Sequence, residues 1–197
     1  MPTTGKPRSG RPRDASVDIR VLQETFGLLA EKGFRGLRID EVARRAGVPK
    51  STIYRRWPSL VDLAVDAVDT AMGSRECEPG EDPLADLSAI IVRAHAFFTT
   101  SPLSGSLPQI ALGLIGHPEA QAAYRDRIIA PLRNGAIDAV TRAAAAGRWQ
   151  GPDPTTSVDM MIGTVLYRLT YLGVEMSLEE AFELVETVAG RPLPRPV

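Results

Sequence analysis

Hydrogen-bonding side chains dominate the segment from residue 50 to residue 57, in which Ile53 and Trp57 are the large apolar residues. These two residues lie four positions apart on one face of a helix and, with Val48, would face the protein. The other side chains can donate to phosphate oxygens or to base edges in a DNA major groove, unless they form an ordinary solvated surface. The candidate DNA contacts are Lys50, Ser51, Thr52, Tyr54, Arg55 and Arg56, with Lys50 and Arg55 as candidates for base contacts.

Other helices must hold this segment in place. Apolar residues at helical spacing predict a helix over 39–46 that stops at Gly47, followed by a helix over 50–57. Helices this short are unstable alone in water, and a longer helix predicted over 16–32 completes a small core with them. Three helices in this order form a helix-turn-helix, which inserts its last helix into a major groove. The sequence therefore predicts a DNA-binding domain over 14–58.

Charge is divided between the two ends of the chain. Residues 1–60 hold 13 Lys+Arg and 6 Asp+Glu, whereas the remainder holds 10 and 18. A basic N-terminal third on an acidic body is typical of a DNA reader joined to a domain with another role. A flexible basic arm is predicted over 1–13, and its run Gly10-Arg11-Pro12-Arg13 is similar to an AT-hook. Arg8, Arg11 and Arg13 are thus candidates for minor-groove contacts, or else the arm is a nonspecific solvated tail.

The pattern from Gly33 to Trp57 resembles the N-terminal domain of TetR-family transcriptional regulators. The residues that carry this resemblance are Phe34, Ile39, Val42, Ala43, Ala46-Gly47-Val48, Thr52-Ile53-Tyr54 and Leu63, with the run over 53–59. The resemblance implies a homodimer that represses, or sometimes activates, transcription from a double-stranded DNA operator. It also implies a small-molecule effector that binds the C-terminal domain and releases the DNA.

Two positions depart from the family pattern. Members commonly begin the second helix with Ser or Thr, where this chain has Arg38, and place Lys where it has Leu60. The loss of a side-chain cap at residue 38 costs about 1 kcal/mol. Because a helix N-terminus attracts phosphate, we predict that Arg38 makes a direct phosphate contact instead of a cap.

The rest of the chain also has helical patterns, and no segment alternates with a period of two residues, so the predicted fold is all-α. Residues 59–82 are predicted to form a connecting helix, capped by Ser59, and a polar linker. Residues 83–197 would form a larger helical domain for ligand binding and dimerisation. Its predicted helices cover about 84–98, part of 101–117, 118–146 with a kink at Pro131, 154–173, and a last helix capped by Ser177.

Apolar stripes in this domain provide two sets of candidates. One set would line a ligand pocket, although such stripes are also ordinary core, and it comprises Phe97, Phe98, Ile110, Leu114, Tyr124, Ile128 and Tyr167. The last two helices have broad apolar faces that a monomer would expose, which predicts a four-helix dimer interface. The predicted interface residues are Val158, Met161, Ile162, Val165, Leu169, Ala181, Val185 and Val188.

The sequence lacks the residues that characterise several other classes of protein. Cys77 is the single cysteine, and His95 and His117 are the only histidines, so neither a metal site nor a cofactor is expected. No catalytic triad or phosphate-binding loop is visible in the sequence. We expect no membrane span and no secretory signal, and the lone cysteine fits the cytoplasm. The sequence predicts a ligand-responsive repressor, with a constitutive regulator and a small all-α enzyme as alternatives.

Overall fold

The computed structural model describes residues 15–73, 78–100, 110 and 112–196. Within those ranges the chain forms helices and connecting loops without a strand, which confirms the all-α prediction. The helices are α1 (Ala15–Gly36), α2 (Ile39–Ala46), α3 (Lys50–Tyr54), α4 (Leu60–Met72), α5 (Pro83–Thr100), α6 (Pro118–Tyr124), α7 (Ala130–Ala145), α8 (Pro154–Tyr167) and α9 (Leu178–Ala189). No helix of the described ranges is long and apolar enough to cross a membrane. The basic arm and much of the short helix predicted over 101–117 lie outside the described residues.

Helices α1, α2 and α3 form the predicted helix-turn-helix. Gly33 has a φ of 64° and a ψ of 178°, which are not helical values. The regular part of α1 therefore ends before Gly33, and one further helical turn continues to Gly36. Helix α2 has the predicted bounds and stops at Gly47, whose left-handed φ of 65° turns the chain towards α3. Helix α3 is shorter than predicted, although the Trp57 N–H still donates to the Ile53 carbonyl at 2.9 Å.

A first apolar core fills the space between α1, α2, α3 and α4. Its fully buried side chains include Leu28, Leu37, Val42, Ile53 and Leu63. Each buried side chain of this size stabilises a fold by about 1.5–3 kcal/mol, which compensates for helices too short to persist alone. Tertiary packing therefore holds α3, the recognition helix, in position.

The segment before α6 packs on this first core, which corrects its predicted place in a ligand pocket. Ile110 and Leu114 are 2% and 3% exposed and belong to the first core. Nearby, the rings of Phe34 and His117 meet edge to face with their centroids 5.7 Å apart. The prediction relied on apolar residue type, which cannot distinguish a side chain packed on α1 from one that lines a cavity.

A second core joins α5, α7, α8 and α9. Leu84, Val140, Val158 and Phe182 are almost fully buried there. The last helix of this core begins with the predicted capping box, in which the Ser177 hydroxyl accepts the Glu180 N–H at 3.1 Å. The end of the chain is thus anchored by a helix with a satisfied N-terminus.

The interruption predicted at Pro131 takes the form of a π-helical turn between α6 and α7. The turn covers Arg125–Ile129, and the Ala130 N–H donates to the Arg125 carbonyl five residues back. A proline has no N–H, and its ring clashes with the carbonyl four residues earlier, so a wider turn before Pro131 relieves that clash. A second π turn, Arg168–Leu172, follows α8. Such turns occur frequently at functional sites.

Candidate DNA-binding surface and ligand cavity

The recognition helix presents a polar face because its apolar side chains are buried. Ile53 is fully buried, and Trp57 just beyond the helix is 6% exposed. The Trp57 indole N–H donates to the Asp66 carboxylate of α4 at 2.7 Å, which fixes the end of the helix-turn-helix against α4. Among the predicted DNA contacts between residues 50 and 55, the exposed residues are Lys50, Ser51, Tyr54 and Arg55, and Thr52 is half-buried.

Arg56 differs from the other predicted DNA contacts, because it faces α1. Its side chain is only 13% exposed and forms an ion pair with Asp18. The prediction extended helical spacing through residue 57, but α3 ends at Tyr54, and the turn that follows directs Arg56 back towards the protein. We therefore remove Arg56 from the DNA-contacting set and regard it as a residue that holds α3 against α1.

Lys50 begins the recognition helix beside an acidic neighbour. Its Nζ lies 2.6 Å from Oδ1 of Asp40 in α2, and both side chains are more than half exposed. An exposed pair of this kind contributes about 0–1 kcal/mol, so a phosphate or a base edge can replace the carboxylate at little cost. Asp40 was not predicted, because residues on two different helices share no helical spacing.

Arg38 occupies the N-cap position of α2 and makes no side-chain hydrogen bond to the start of that helix. Its Nη1 donates to the backbone carbonyls of Arg35 and Leu37, both at 2.8 Å. The side chain is exposed, so a cationic group stands beside the positive end of the α2 dipole. Both features attract an anion to this place.

Ion pairs fix α2 against α1. Lys32 donates to both carboxylate oxygens of Glu41 at 2.8 and 2.7 Å, and Arg45 makes two bonds of 2.7 Å to Glu31. The hydrogen bond from Arg45 lowers the pKa of Glu31, and the one from Lys32 lowers the pKa of Glu41. Both carboxylates are therefore charged at neutral pH. Only the spacing of Glu41 and Arg45, four residues apart on one helix, could have indicated this network from the sequence.

A cavity of about 250 Å³ lies among α5, α7, α8 and α9. Its wall is almost entirely apolar and includes the predicted pocket residues Phe97, Phe98, Tyr124 and Ile128. Tyr167, also predicted to line the pocket, is 55% exposed and lies on the outside of α8. An apolar concavity of this kind is the usual form of a small-molecule site.

The apolar stripe of α8 and α9 contributes to the wall of this cavity, and the dimer interface predicted for it stays a prediction. The wall includes Val158, Met161, Ile162, Val165, Leu169, Ala181 and Val185. Val188, the remaining predicted interface residue, is 8% exposed and belongs to the second core. Helical spacing indicated which face is apolar, and within the chain α7 packs on α8 while α5 packs on α9.

A different apolar surface stays exposed on α8 and the turn that follows it. The rings of Tyr167 and Tyr171 stack with their centroids 5.9 Å apart, and Tyr171 is 74% exposed. We call this surface the α8 stripe, and its exposed residues are Met160, Leu166, Tyr167, Tyr171, Leu172 and Val174. Clustered exposed apolar side chains usually mark an interface.

Asp66 connects the recognition helix to the cavity wall. One carboxylate oxygen accepts the Trp57 indole N–H, and the other lies 2.5 Å from Nη2 of Arg127 in the first π turn. Ile129, in the same turn, lines the cavity. Neither Asp66 nor Arg127 was predicted, since the pair joins residues far apart in sequence.

The geometry defines the class of protein: a helix-turn-helix with an open polar face, joined to a helical domain with an apolar cavity. In the described part of the chain, no group of His, Cys, Asp and Glu could hold a metal ion. Residues 21–67 match the family model described as bacterial regulatory proteins, tetR family, and residues 79–188 match the one described as tetracyclin repressor-like, C-terminal domain. The chain belongs to the TetR family of transcriptional regulators, as the sequence resemblance indicated.

Proteins of similar sequence and structure are also regulators. The HTH-type transcriptional regulator YdeS of Bacillus subtilis (strain 168) is 29% identical over 182 residues, which cover 90% of each chain. The crystal structure of the TetR family transcription regulator SCO0332 has a TM-score of 0.67 and 27% identity, and the match covers 91% of this chain and 100% of that one. FadR from Bacillus subtilis, in complex with stearoyl-CoA, has a TM-score of 0.69 and 16% identity, with coverage of 87% and 97%. The likeness to FadR concerns the fold.

Proposed function

We propose that this protein is a repressor that binds a pseudo-palindromic DNA operator as a homodimer and leaves it when a small apolar molecule enters the cavity. The exposed polar face of α3, backed by buried Ile53 and Trp57, carries the proposal. A helix held in this way can lie in a major groove with its polar side chains directed at bases and phosphates.

The polar residues of this surface have separate roles in the proposal. Arginine and lysine suit guanine edges, and the residues assigned to bases are Lys50 and Arg55. Hydroxyl groups and the guanidinium at the start of α2 suit phosphate oxygens, and the residues assigned to phosphates are Arg38, Ser51, Thr52 and Tyr54. The basic arm, outside the described residues, would place Arg8, Arg11 and Arg13 in the minor groove.

The α8 stripe is the proposed surface between the two copies. In a two-fold dimer the α8 stripe of one copy packs against the α8 stripe of the other. This contact removes Tyr167 and Tyr171 from water. Such a dimer would set two recognition helices about 34 Å apart, which is one turn of DNA. In this proposal the α8 stripe is used instead of the interface predicted from the sequence, whose residues line the cavity or lie in the second core.

In the proposed release of DNA, Asp66 transmits the effect of the bound molecule to the helix-turn-helix. A molecule that presses on Ile129 would displace the first π turn and with it Arg127, whose partner Asp66 also holds Trp57. Coupling of this kind can pass through a continuous set of contacts between two sites, and the contacts among Trp57, Asp66 and Arg127 form such a set. A constitutive regulator would need neither the cavity nor this connection, so both favour the ligand-responsive alternative. The complex of the similarly folded FadR with stearoyl-CoA is consistent with an effector in this family.

Selection of DNA from a random library tests the proposed function. The wild-type protein should select sites with two symmetric half-sites. Arg55→Ala should weaken binding by about 1–3 kcal/mol and relax the preference at one position of each half-site. Arg125→Ala removes an exposed arginine in the first π turn and serves as the matched control. It should leave the DNA affinity and the base preference unchanged. Unselective binding by the wild type would refute the proposed function.

A further inference from the structure

The two acidic residues of α2 are adjacent in sequence but face different neighbours. Glu41 is 23% exposed and binds Lys32 of α1. Asp40 is 69% exposed, and its Oδ1 lies beside Nζ of Lys50 at the start of the recognition helix. Asp40 is therefore the carboxylate of α2 that shares a surface with the proposed DNA contacts.

A carboxylate at this place is unfavourable for DNA binding in general. The phosphates of every sequence carry negative charge and repel it. Its contact with Lys50 also neutralises a cation that would otherwise attract a phosphate. Such a residue improves recognition only where one sequence offers it a hydrogen bond that other sequences do not offer.

The contact between Lys50 and Asp40 places a hydrogen-bond donor beside an acceptor. Nζ of Lys50 and Oδ1 of Asp40 are 2.6 Å apart, and both side chains are more than half exposed. An ammonium group that gives one N–H to a carboxylate retains two further N–H groups, and the carboxylate retains free lone pairs. The pair can therefore bind another acceptor and another donor without separating.

A G·C base pair presents such an acceptor and donor on its major-groove edge. Guanine O6 accepts a hydrogen bond from cytosine N4, so these two atoms lie about 2.9 Å apart. The oxygen has a second lone pair and the amino group a second N–H, both accessible from the groove. The spacing of 2.6 Å between Nζ and Oδ1 thus lets the Lys50–Asp40 pair contact O6 and N4 together.

Other base pairs suit this arrangement less well. A C·G pair, read in the same direction, places the amino group against the lysine and the oxygen against the carboxylate. A T·A pair has the required order of one acceptor and one donor. Guanine, however, gives the lysine a second acceptor at N7, where thymine has a methyl group. The donor and acceptor pattern therefore favours G·C.

We propose that Asp40 and Lys50 read one G·C base pair as a unit, with Lys50 on guanine and Asp40 on cytosine. This inference rests on the base contact assigned to Lys50 in the proposed function. It adds Asp40 as a specificity-determining residue, and it explains how a carboxylate can serve a surface that binds a polyanion.

Selection of DNA from a random library by substituted proteins tests the shared base pair. Asp40→Asn and Lys50→Ala should relax the preference at the same position of each half-site, and Arg55→Ala at a different position. The wild type should favour G·C over T·A there by about tenfold, and Asp40→Asn should reduce this ratio about fivefold, because an amide suits adenine. Asp126→Asn removes a carboxylate from an exposed pair with Arg125 and is the matched control.

The salt dependence of binding to nonspecific DNA provides a second measurement. Asp40→Asn leaves the charge of Lys50 free for a phosphate, so the slope should become steeper by about 0.9 and the affinity at low salt should rise about threefold. A negative charge in the first turn of α2 also stabilises that helix. If Asp40 had only this role, Asp40→Asn would lower the melting temperature without changing base preference or salt slope.

The outcomes separate this inference from the proposed function. If Asp40→Asn selects the same bases as the wild type, or relaxes a position that Lys50→Ala leaves unchanged, the inference is overturned and the proposed function is retained. If Lys50→Ala alters no preference, both the base contact of Lys50 and the inference are wrong. A wild-type protein without any base preference would contradict the proposed function itself and this inference with it.

Discussion

The two cores of the molecule differ in how completely they are filled. In the first core, large side chains such as Leu28, Leu29, Leu37 and Leu63 are fully buried around the recognition helix. Between the second core and the far side of the first lies a cavity of about 250 Å³, and both π turns contribute residues to its wall. A filled core permits one arrangement of its helices, whereas a cavity leaves room for a second. A DNA reader benefits from the first property and an effector site from the second.

The surfaces of the two regions also differ, because one carries ion pairs and the other exposes apolar side chains. Ion pairs such as Lys32–Glu41 and Lys50–Asp40 cover the outside of the N-terminal helices. The outside of α8 instead exposes the apolar α8 stripe, with Tyr171 as its most exposed member. Charged surfaces suit a partner that must be released, whereas apolar surfaces suit a lasting partner. The comparison is thus in line with the proposed DNA contact at one end and the proposed contact with a second copy of the chain at the other.

The largest effect is expected from a charge on the α8 stripe. Tyr171→Glu should produce monomers in sedimentation equilibrium and weaken operator binding more than about 100-fold, because one helix-turn-helix makes too few DNA contacts. Thr187→Glu places the same charge on an exposed position of α9 and should leave the dimer intact. A Tyr171→Glu protein that remains dimeric would show that the stripe is not the interface.

Leucine truncation tests the difference between the cores. Leu63→Ala in the filled core should lower the free energy of unfolding by about 2–5 kcal/mol. Leu132→Ala, at a half-buried wall position beside existing space, should cost no more than about 2 kcal/mol, since fewer contacts are lost. Urea denaturation of both variants measures the difference. Equal costs would mean that the two cores are filled equally well.

A smaller effect is expected at the connection between the two regions. Asp66→Asn keeps an oxygen that can accept the Trp57 N–H but removes one of the two carboxylate charges, those of Asp66 and Asp69, that bind Arg127. Operator affinity should change less than about threefold, whereas the concentration of an apolar effector needed for release should rise about tenfold. Asp138→Asn removes one exposed partner of Arg142 and is the matched control. If Asp66→Asn and the wild type leave the DNA at the same effector concentration, Asp66 takes no part in the coupling.

The smallest effect concerns the start of α2. Arg38→Thr restores a side-chain cap and should raise the free energy of unfolding by about 1 kcal/mol. Operator affinity should fall, and the slope of its salt dependence should decrease by about 0.9, if the guanidinium binds one phosphate. Titrations at several salt concentrations, with thermal unfolding, measure both quantities. A simultaneous rise in stability and affinity would show that Arg38 makes no such contact.

Local features of the sequence predicted much of the DNA-binding unit. Gly47 and the apolar spacing before it defined α2 with the observed bounds, and Ser59 caps α4 with Asp62 as expected. Ile53 and Trp57 are buried as their spacing required. These predictions succeeded because helix ends, caps and one-sided apolar faces depend on residues within a few positions of each other.

The tertiary structure alone decided what each apolar or charged face meets. Val165 and Val185 lie on the predicted apolar stripe, and in the folded chain they also line the cavity. Arg56 pairs with Asp18, and Asp66 joins Trp57 to Arg127, through contacts between segments distant in sequence. Helical periodicity determines which face of a helix avoids water. Which neighbour covers that face depends on how all the helices pack together.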